Sequence, residues 1–306
     1  MADLNTDLGK IKLKNPVMTA SGTFGYGKEY NEFFPISDLG AVVVKGIAPF
    51  ESHGNPTPRI SEVTSGMINA IGLQGPGVEK FITGRDYLPF LRKTGADIIV
   101  NIWGRTVDEY AEVASRLDDY AEDIAALEIN ISCPNVKEGG ASFGTDISSA
   151  AEVVKAVRNV TGLPLITKLS PNFSAVSKFA EAVVAAGSDM ISLINTLPAM
   201  AVDINTRRPR IANIFGGLSG PAVKPVALKM VYEVVQAVDV PVIGMGGIVS
   251  FEDALEFLIA GASAVAVGTA IFTNPYAPVE IIKGIDSFLN ENGIQKVSDI
   301  VGSIKL

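Results

Sequence analysis

Two lysines stand inside otherwise apolar segments of the sequence. Lys45 follows Val42-Val43-Val44, and Lys168 follows Leu165-Ile166-Thr167. Burying an ammonium group without a partner costs free energy, so a lysine in such a place needs an anion or an electron-rich ligand beside it. The two lysines therefore indicate a ligand site rather than two surface positions.

Two glycine motifs follow apolar segments near the end of the chain. Gly246-Gly247 comes after Val242–Met245, and Gly268-Thr269 comes after Ala264–Val267. Glycine lets backbone N–H groups approach a phosphate closely, and the N-terminus of a following helix adds a favourable dipole. Each motif alone is also typical of a tight turn. Because the two motifs follow successive apolar segments separated by one helical segment, together they favour a phosphorylated substrate or cofactor.

Cys133 is the only cysteine of the chain and stands where Pro134 must end a strand. On spacing alone, two interpretations stay open. The thiol is either an inert buried group or a reactive group, with the glycine-containing stretch Val136–Gly144 after it acting as a hinged lid. One cysteine excludes an internal disulfide and an iron–sulfur cluster held by this chain alone, and it favours a reducing, cytoplasmic compartment.

Eight short apolar segments must position these groups. Most are separated by segments with helical periodicity, such as Thr106–Glu122 and Phe251–Ala260. Apolar strands alternating with helices predict an α/β fold with a parallel sheet, and eight of them favour a (β/α)8 TIM barrel over an open doubly wound sheet. The strand segments are Asn15–Ser21, Ala41–Ile47, Asp97–Trp103, Leu127–Cys133, Pro164–Leu169, Met190–Asn195, Pro241–Met245 and Ala264–Gly268.

Two connections are too long for simple turns. Ala48–Pro76 and Leu197–Pro221 are rich in Gly, Pro, Asn and Ser, and each follows a strand. We expect both to be lids or binding loops inserted at the C-terminal mouth of the barrel, where barrel enzymes carry their sites. No second domain is indicated, so residues 1–306 are expected to form one domain.

Bulk composition narrows the class of partner. The 306 residues carry a net charge of −8, which argues against a nucleic-acid partner. Apolar residues make up 47% and charged residues 19%, a globular profile. The sequence has no apolar run of about 18 residues and no signal-like start, so we expect no membrane span and no secretion.

Nine stretches match, in chain order, the motifs of one known family. On them the chain resembles the catalytic subunit of class 1 dihydroorotate dehydrogenases, from Leu8 to about Pro275. One small departure is Gly75, where many relatives have Asn. The stretches are Asn15-Pro-Val-Met-Thr-Ala-Ser-Gly-Thr-Phe-Gly, Val44-Lys-Gly, Gly66-Met-Ile-Asn-Ala-Ile-Gly-Leu-Gln, Asn130-Ile-Ser-Cys-Pro-Asn, Thr167-Lys-Leu-Ser-Pro-Asn, Ile194-Asn-Thr, Gly217-Leu-Ser-Gly-Pro, Gly244-Met-Gly-Gly-Ile and Val267-Gly-Thr-Ala.

The resemblance implies FMN at the barrel mouth and a pyrimidine substrate stacked on it. The phosphate of FMN is expected on Gly246, Gly247, Gly268 and Thr269. The other implied cofactor contacts are Ser21, Lys45, Gly46, Asn101, Asn130, Lys168, Ile194 and Gly220. The implied substrate contacts are Lys45, Asn69, Ala70, Ile71, Gly72, Leu73, Asn130, Asn135, Asn195 and Thr196.

The resemblance also implies the reaction and the electron acceptor. Cys133 would take a proton from C5 of dihydroorotate, Lys45 would assist, and a hydride would pass from C6 to FMN, giving orotate for UMP synthesis. A cysteine at this position and no visible N-terminal extension favour the soluble class. The stretch Asn135–Asp146 resembles type 1B, which works with a partner subunit that carries FAD and a 2Fe-2S cluster and reduces NAD. A homodimer within a heterotetramer is expected.

Other functions remain open at this point. Fumarate-using class 1A enzymes share the cysteine and most flavin contacts, and a related flavoenzyme could reduce another pyrimidine. A non-redox phosphate-binding barrel, such as an isomerase or aldolase, belongs to a different class. A purely structural barrel is disfavoured by the two lysines at apolar strand ends. No metal site is expected.

Overall fold

The computed structural model describes residues 2–131, 146–172 and 175–306. Its centre is a sheet of eight parallel strands in the order β1-β8-β7-β6-β5-β4-β3-β2, nearly closed into a barrel. This confirms the predicted (β/α)8 barrel. The strands are β1 (Val17–Thr19), β2 (Val42–Ile47), β3 (Ile98–Ile102), β4 (Ala126–Asn130), β5 (Leu165–Lys168), β6 (Met190–Leu193), β7 (Val242–Met245) and β8 (Ala264–Val267).

Seven of the predicted strand segments contain the strand that forms, and the fourth was wrong at its ends. Strand β4 begins at Ala126 and ends at Asn130, whereas the sequence predicted Leu127–Cys133. The strand ends there because Asn130 pairs with Lys168, the last residue of β5, so the ladder has no further partner on that side. Cys133 itself lies outside the described residues.

Eight helices surround the barrel in the described ranges, and none of them is long and apolar enough to cross a membrane. Helix α3 begins after Thr106, whose side chain accepts from Glu109 N, and ends at Asp118, four residues before its predicted end. Between β1 and β2 the chain forms only two short 3-10 turns. The helices are α1 (Val78–Thr83), α2 (Leu88–Thr94), α3 (Val107–Asp118), α4 (Ile147–Arg158), α5 (Val176–Ala185), α6 (Lys224–Val235), α7 (Phe251–Ile259) and α8 (Ala277–Glu291).

Apolar side chains fill the inside of the barrel. They form one cluster that joins alternate residues of the strands to Leu8, Ile11 and Leu13. These three residues belong to an N-terminal hairpin, in which Thr6–Asp7 pairs with Lys12–Leu13, or to the turn that connects its strands. The hairpin packs with residues at the starts of the strands, such as Ala126 and Ala264, so only the C-terminal ends of the strands are left to form a site.

The two long connections both contribute to the cavity wall at the barrel mouth, where the sequence predicted them, but they form strands as well as loops. They build one four-stranded antiparallel sheet over the barrel mouth, which we term the mouth sheet. Its strands, in spatial order, are Leu197–Met200, Phe215–Ser219, Gly66–Asn69 and Ile60–Val63. A Cβ at Gly66 would collide with the carbonyl oxygen of Ser219, so the close pairing of the central strands requires glycine there.

Thr19 joins the first and second strands, where the barrel closes. Only one isolated bridge, Met18 with Ala41, pairs these strands in the described residues. The buried Thr19 hydroxyl supplies the missing contacts, because Oγ1 accepts from Val43 N (2.9 Å) and donates to Val43 O (3.2 Å). This junction, which we call the seam, is therefore held by the Thr19 hydroxyl together with the two backbone bonds of the bridge, Gly40 N to Val17 O (2.8 Å) and Thr19 N to Ala41 O (3.4 Å), and not by a regular ladder.

Thr19→Val is expected to destabilise the protein by about 1–3 kcal/mol, because it leaves the buried amide of Val43 unsatisfied. The measurement is the shift of the urea midpoint. Thr19→Ser keeps the hydroxyl and should lose clearly less stability. A valine variant as stable as the parent would show that the hydroxyl does not hold the seam.

Candidate functional site

Five barrel strands place a polar side chain on their inner face directly above an apolar one. Side chains two residues apart on a strand point the same way, so each pair marks two successive layers toward the C-terminal end. The lower member belongs to the inner apolar cluster. The pairs are Val43 and Lys45, Ile99 and Asn101, Ala126 and Glu128, Ile166 and Lys168, and Met190 and Ser192.

A cavity of about 730 Å³ opens above this polar layer and beneath the mouth sheet. Its volume lies within the roughly 300–1,000 Å³ typical of ligand sites. The structure brings all the predicted cofactor and substrate residues of the described ranges to its wall. They are Ser21, Lys45, Gly46, Asn69, Ala70, Ile71, Gly72, Leu73, Asn101, Asn130, Lys168, Ile194, Asn195, Thr196, Gly220, Gly246, Gly247, Gly268 and Thr269.

The floor of the cavity carries a buried network of charge and hydrogen bonds. Lys168 Nζ donates to Ser21 Oγ (3.3 Å) and lies 4.0 Å from Glu128 Oε1. The Glu128 carboxylate also accepts from Asn101 Nδ2 (2.6 Å) and from Ser192 Oγ (2.9 Å). The buried lysine predicted from the sequence thus has an acid beside it, and its ammonium group remains at the cavity wall.

Lys45 supplies a second cation at the wall. It is partly buried at the end of β2, and burial together with the nearby Arg59 guanidinium lowers the pKa of Lys45 from its usual 10.5. Both causes disfavour the ammonium form of Lys45, and a bound anion would offset them by stabilising its positive charge. The side chain is therefore suited to hold a carboxylate or phosphate.

Glycines form one wall of the cavity. Gly246 and Gly247 have φ of +125° and +76°, and Gly220 has φ of +99°, so each adopts a backbone that other residues rarely take. A Cβ at Gly247 would lie 2.7 Å from Lys224 Cβ and 3.0 Å from Gly220 O. Thr269 Oγ1 donates to Ser219 Oγ (2.7 Å), which joins this wall to the mouth sheet. Such crowded, glycine-lined backbone at strand ends suits a phosphate.

The roof comes from the connection after β2. Asn55 Nδ2 donates to Ala70 O (3.0 Å), and Asn69 Nδ2 donates to Gly217 O (3.3 Å). The first bond holds Ala70 to Asn55 and the second joins Asn69 to the neighbouring strand of the mouth sheet, so that the stretch Asn69–Leu73 lines the cavity. On the facing wall, Asn195 Oδ1 accepts from Thr196 N (2.8 Å), so this residue also has the turn-forming role common for Asn at strand ends.

Two predicted site residues, Cys133 and Asn135, lie outside the described residues, as does the predicted lid Val136–Gly144. Their roles stay predictions. Among the described ranges, no group of three His, Cys, Asp or Glu side chains could hold a metal ion. A second, open hollow of about 800 Å³ lies beside the hairpin Val202–Pro209 and contains none of the predicted site residues.

Glu128 and Ser192 were not predicted as site residues. A charged residue inside an apolar segment predicted the two lysines, and the same pattern occurs at Glu128, which stands between Leu127 and Ile129 in an apolar strand. It also lies two residues before Asn130, on the same face. Ser192 carried no such signal, because a serine is common in strands and loops alike.

Comparison with known proteins identifies the family. The family model described as dihydroorotate dehydrogenase matches residues 3–289. The chain is similar to proteins of Geotalea daltonii (55% identical over 304 residues) and Desulforamulus reducens (53% over 304 residues), with 99% of both chains covered. A protein of Alkaliphilus metalliredigens is 55% identical over 302 residues, again with 99% of both chains covered. All three are named dihydroorotate dehydrogenase B (NAD(+)), catalytic subunit.

Proposed function

The chain belongs to the dihydroorotate dehydrogenase family, and we propose that it is the catalytic subunit of an NAD-linked enzyme that oxidises (S)-dihydroorotate to orotate in de novo UMP synthesis. The observation that carries the proposal is the convergence of the predicted cofactor and substrate residues on one cavity. Relatives at 53–55% identity over 99% of the chain share the same name, which supports the substrate and the acceptor.

The cavity fits FMN in its polar floor and its glycine wall. We assign the phosphate to Gly246, Gly247, Gly268 and Thr269, because the three glycines leave their backbone N–H groups uncovered and the Thr269 hydroxyl adds a polar group at the same wall. Lys168, Asn101 and Ser21 offer both donors and an acceptor, as the edge of a flavin ring requires. When bound, FMN supplies the hydride acceptor, while the protein orients the substrate and tunes the electrostatics.

The substrate is assigned to the space between the floor and the roof. We assign its carboxylate to Lys45. Asn69, Asn130 and Asn195 line the same cavity, and amide side chains suit a ring whose edge alternates N–H and C=O groups, because an amide both donates and accepts. Asn135 is proposed to complete this set. Cys133 is proposed to take the C5 proton as a thiolate, and Lys45 to hold the carboxylate in place during that transfer.

The affinity for orotate is expected to fall as the pH rises through the lowered pKa of Lys45. The protonated lysine binds the carboxylate, and burial makes it lose that proton at a lower pH than an exposed lysine would. Loss of one charge-assisted hydrogen bond corresponds to roughly 10- to 100-fold in affinity. The measurement is orotate titration by flavin absorbance between neutral and alkaline pH, in a Cys133→Ala background so that the thiol does not contribute.

Lys45→Met is the matched control for this titration. We expect it to bind orotate weakly at every pH, with the pH dependence removed. A pH dependence that persists unchanged in the methionine variant would assign the titrating group to another residue.

A partner subunit completes the proposal. We propose that it carries FAD and a 2Fe-2S cluster and passes electrons to NAD, in a heterotetramer built on a homodimer of this chain. The relatives are named as NAD(+) enzymes and as catalytic subunits, which supports a separate electron-transfer subunit. One cysteine in 306 residues does not suffice for the cluster. The same scarcity of cysteine favours a cytoplasmic location, which we include in the proposal.

Co-expression with a candidate partner tests this function. The complex should carry flavin and form orotate with NAD as acceptor, while the isolated chain should reduce its flavin with dihydroorotate but react poorly with NAD. Efficient turnover of the isolated chain with fumarate would instead indicate a class 1A enzyme. Reduction of uracil-type bases, or a colourless protein without flavin, would contradict the proposed substrate or the proposed cofactor.

A further inference from the structure

Glu128 is a buried acid directly beneath the cavity. Only 2% of it is exposed, and it lies on the inner face of β4, one layer above Ala126 and one below Asn130. A carboxylate in this place costs free energy unless every neighbour compensates it. The groups that contact the carboxylate therefore indicate which side chains it positions.

In the part of the chain that the structure describes, three polar groups around Glu128 present donors to it. Asn101 Nδ2 donates to Oε1 at 2.6 Å, and Ser192 Oγ donates to Oε2 at 2.9 Å. The ammonium of Lys168 lies 4.0 Å from Oε1, too far for a direct hydrogen bond but close enough for attraction between charges. An ionised carboxylate only accepts, so the three groups must turn their donors toward it.

The carboxylate decides which end of the Asn101 amide faces the cavity. Because Nδ2 is committed to Glu128, Oδ1 lies at the opposite end of the amide. A Cβ built on Gly46 would come within 2.9 Å of this oxygen, and Gly46 and Asn101 both line the cavity. The cavity thus receives an acceptor at this point rather than a second donor.

The carboxylate also holds the position of Lys168. Its Nζ lies between Ser21 Oγ at 3.3 Å and Glu128 Oε1 at 4.0 Å. Lys168 and Ser21 are both at the cavity wall, whereas Glu128 is beneath it. The lysine is therefore placed between a ligand in the cavity and a fixed negative charge behind it.

We infer that Glu128 is a positioning residue for the electron-rich edge of the cofactor, acting through Asn101 and Lys168. It sets the Asn101 carbonyl oxygen to accept from a ring N–H, and it offsets part of the positive charge that Lys168 presents to the ring. The inference rests on the proposed function, in which FMN occupies this cavity.

The inference predicts the direction in which the midpoint potential of the flavin changes when Glu128 loses its charge. Lys168 stabilises the negative charge that the flavin gains on reduction, and Glu128 weakens that stabilisation. Glu128→Gln removes the negative charge with little change of volume, so it should raise the midpoint potential. A tenfold stabilisation of the two-electron-reduced form corresponds to about 30 mV, and we expect a rise of at least that size. The glutamine also adds a donor facing Asn101, so FMN binding should weaken.

The experiment is a spectroscopic redox titration of the FMN-loaded protein. Ser192→Ala is the matched control, because it removes a donor to the same carboxylate but keeps the charge, and its potential should stay at the parent value. An unchanged potential in Glu128→Gln with full FMN content would overturn the inference, since a purely structural carboxylate would change stability alone.

A second comparison covers the case in which Glu128→Gln fails to fold. The double variant Lys168→Met/Glu128→Gln removes both charges of the pair, so it leaves neither of them buried without a partner. Its flavin midpoint potential should lie above that of the single variant Lys168→Met. Equal potentials in these two variants would contradict the inference. A parent protein that binds no flavin would instead refute the proposed function, so the two failures are distinguishable.

Discussion

Cys133→Ser is expected to slow reduction of the bound FMN by dihydroorotate at least about 100-fold at neutral pH. A positioned general base contributes roughly 10²- to 10⁴-fold. A free thiol has a pKa of about 8.5, so part of it is thiolate near neutrality, whereas a serine hydroxyl is not ionised there. The measurement is anaerobic rapid mixing, with the loss of oxidised-flavin absorbance followed over time.

The pH profile and the flavin content show whether a slow variant has lost its catalytic base or has a damaged cofactor site. In the parent protein the reduction rate should rise with pH as the thiol ionises, and the serine variant should lose this rise. Cys133→Ala should behave like the serine variant, and both should keep their FMN. A serine variant that reduces its flavin at the parent rate would remove Cys133 from the role of base. Because Cys133 lies outside the described residues, this prediction rests on the family resemblance.

Gly247→Ala is expected to weaken FMN binding tenfold or more and to lower stability. Its φ is +76°, and the added Cβ would lie 2.7 Å from Lys224 Cβ and 2.8 Å from Lys224 N. Backbone at the start of α6 cannot give way as a flexible side chain would, so the loop after β7 must move. That movement would displace the N–H groups assigned to the phosphate. The measurements are FMN content after dialysis and the FMN dissociation constant.

Gly293→Ala is the matched control for this clash. Gly293 has a similar φ of +69°, but nothing lies within 4 Å of the position that a Cβ would take. It should therefore lose about 1–2 kcal/mol of stability from the left-handed backbone alone and keep its FMN. An alanine at Gly247 that binds FMN as tightly as the parent would contradict the assignment of the phosphate to this wall.

The barrel could be predicted because its strands carry a local signal. Segments such as Ala41–Ile47 are apolar throughout, as strands buried on both faces must be, and helical periodicity separates most of them. Strand ends are less certain, because they depend on where the neighbouring strand ends. Strand β4 ends at Asn130 opposite Lys168, and nothing within its own residues determines that point.

The mouth sheet could not be predicted, for a different reason. Its strands are short and partly exposed, and its two central strands, Gly66–Asn69 and Phe215–Ser219, are far apart in the chain. Local propensity carries no information about such a pairing. The glycine and proline content predicted loops, and the pairing of the two connections with each other overrode that preference.

The candidate site was predicted in part by a physical argument and in part by resemblance. Lys45 and Lys168 followed from the cost of burying a charge, and both line the cavity. The same argument applies to Glu128, which stands between Leu127 and Ile129 in a buried strand. The roles of Cys133 and Asn135 come from resemblance alone.

Mixing the purified protein with dihydroorotate in the absence of oxygen tests the central claim most directly. The account predicts that a yellow, FMN-containing protein loses its flavin colour and that orotate forms in an amount equal to the flavin reduced. A protein that holds no flavin, or whose flavin stays oxidised while excess dihydroorotate is present, would contradict the account.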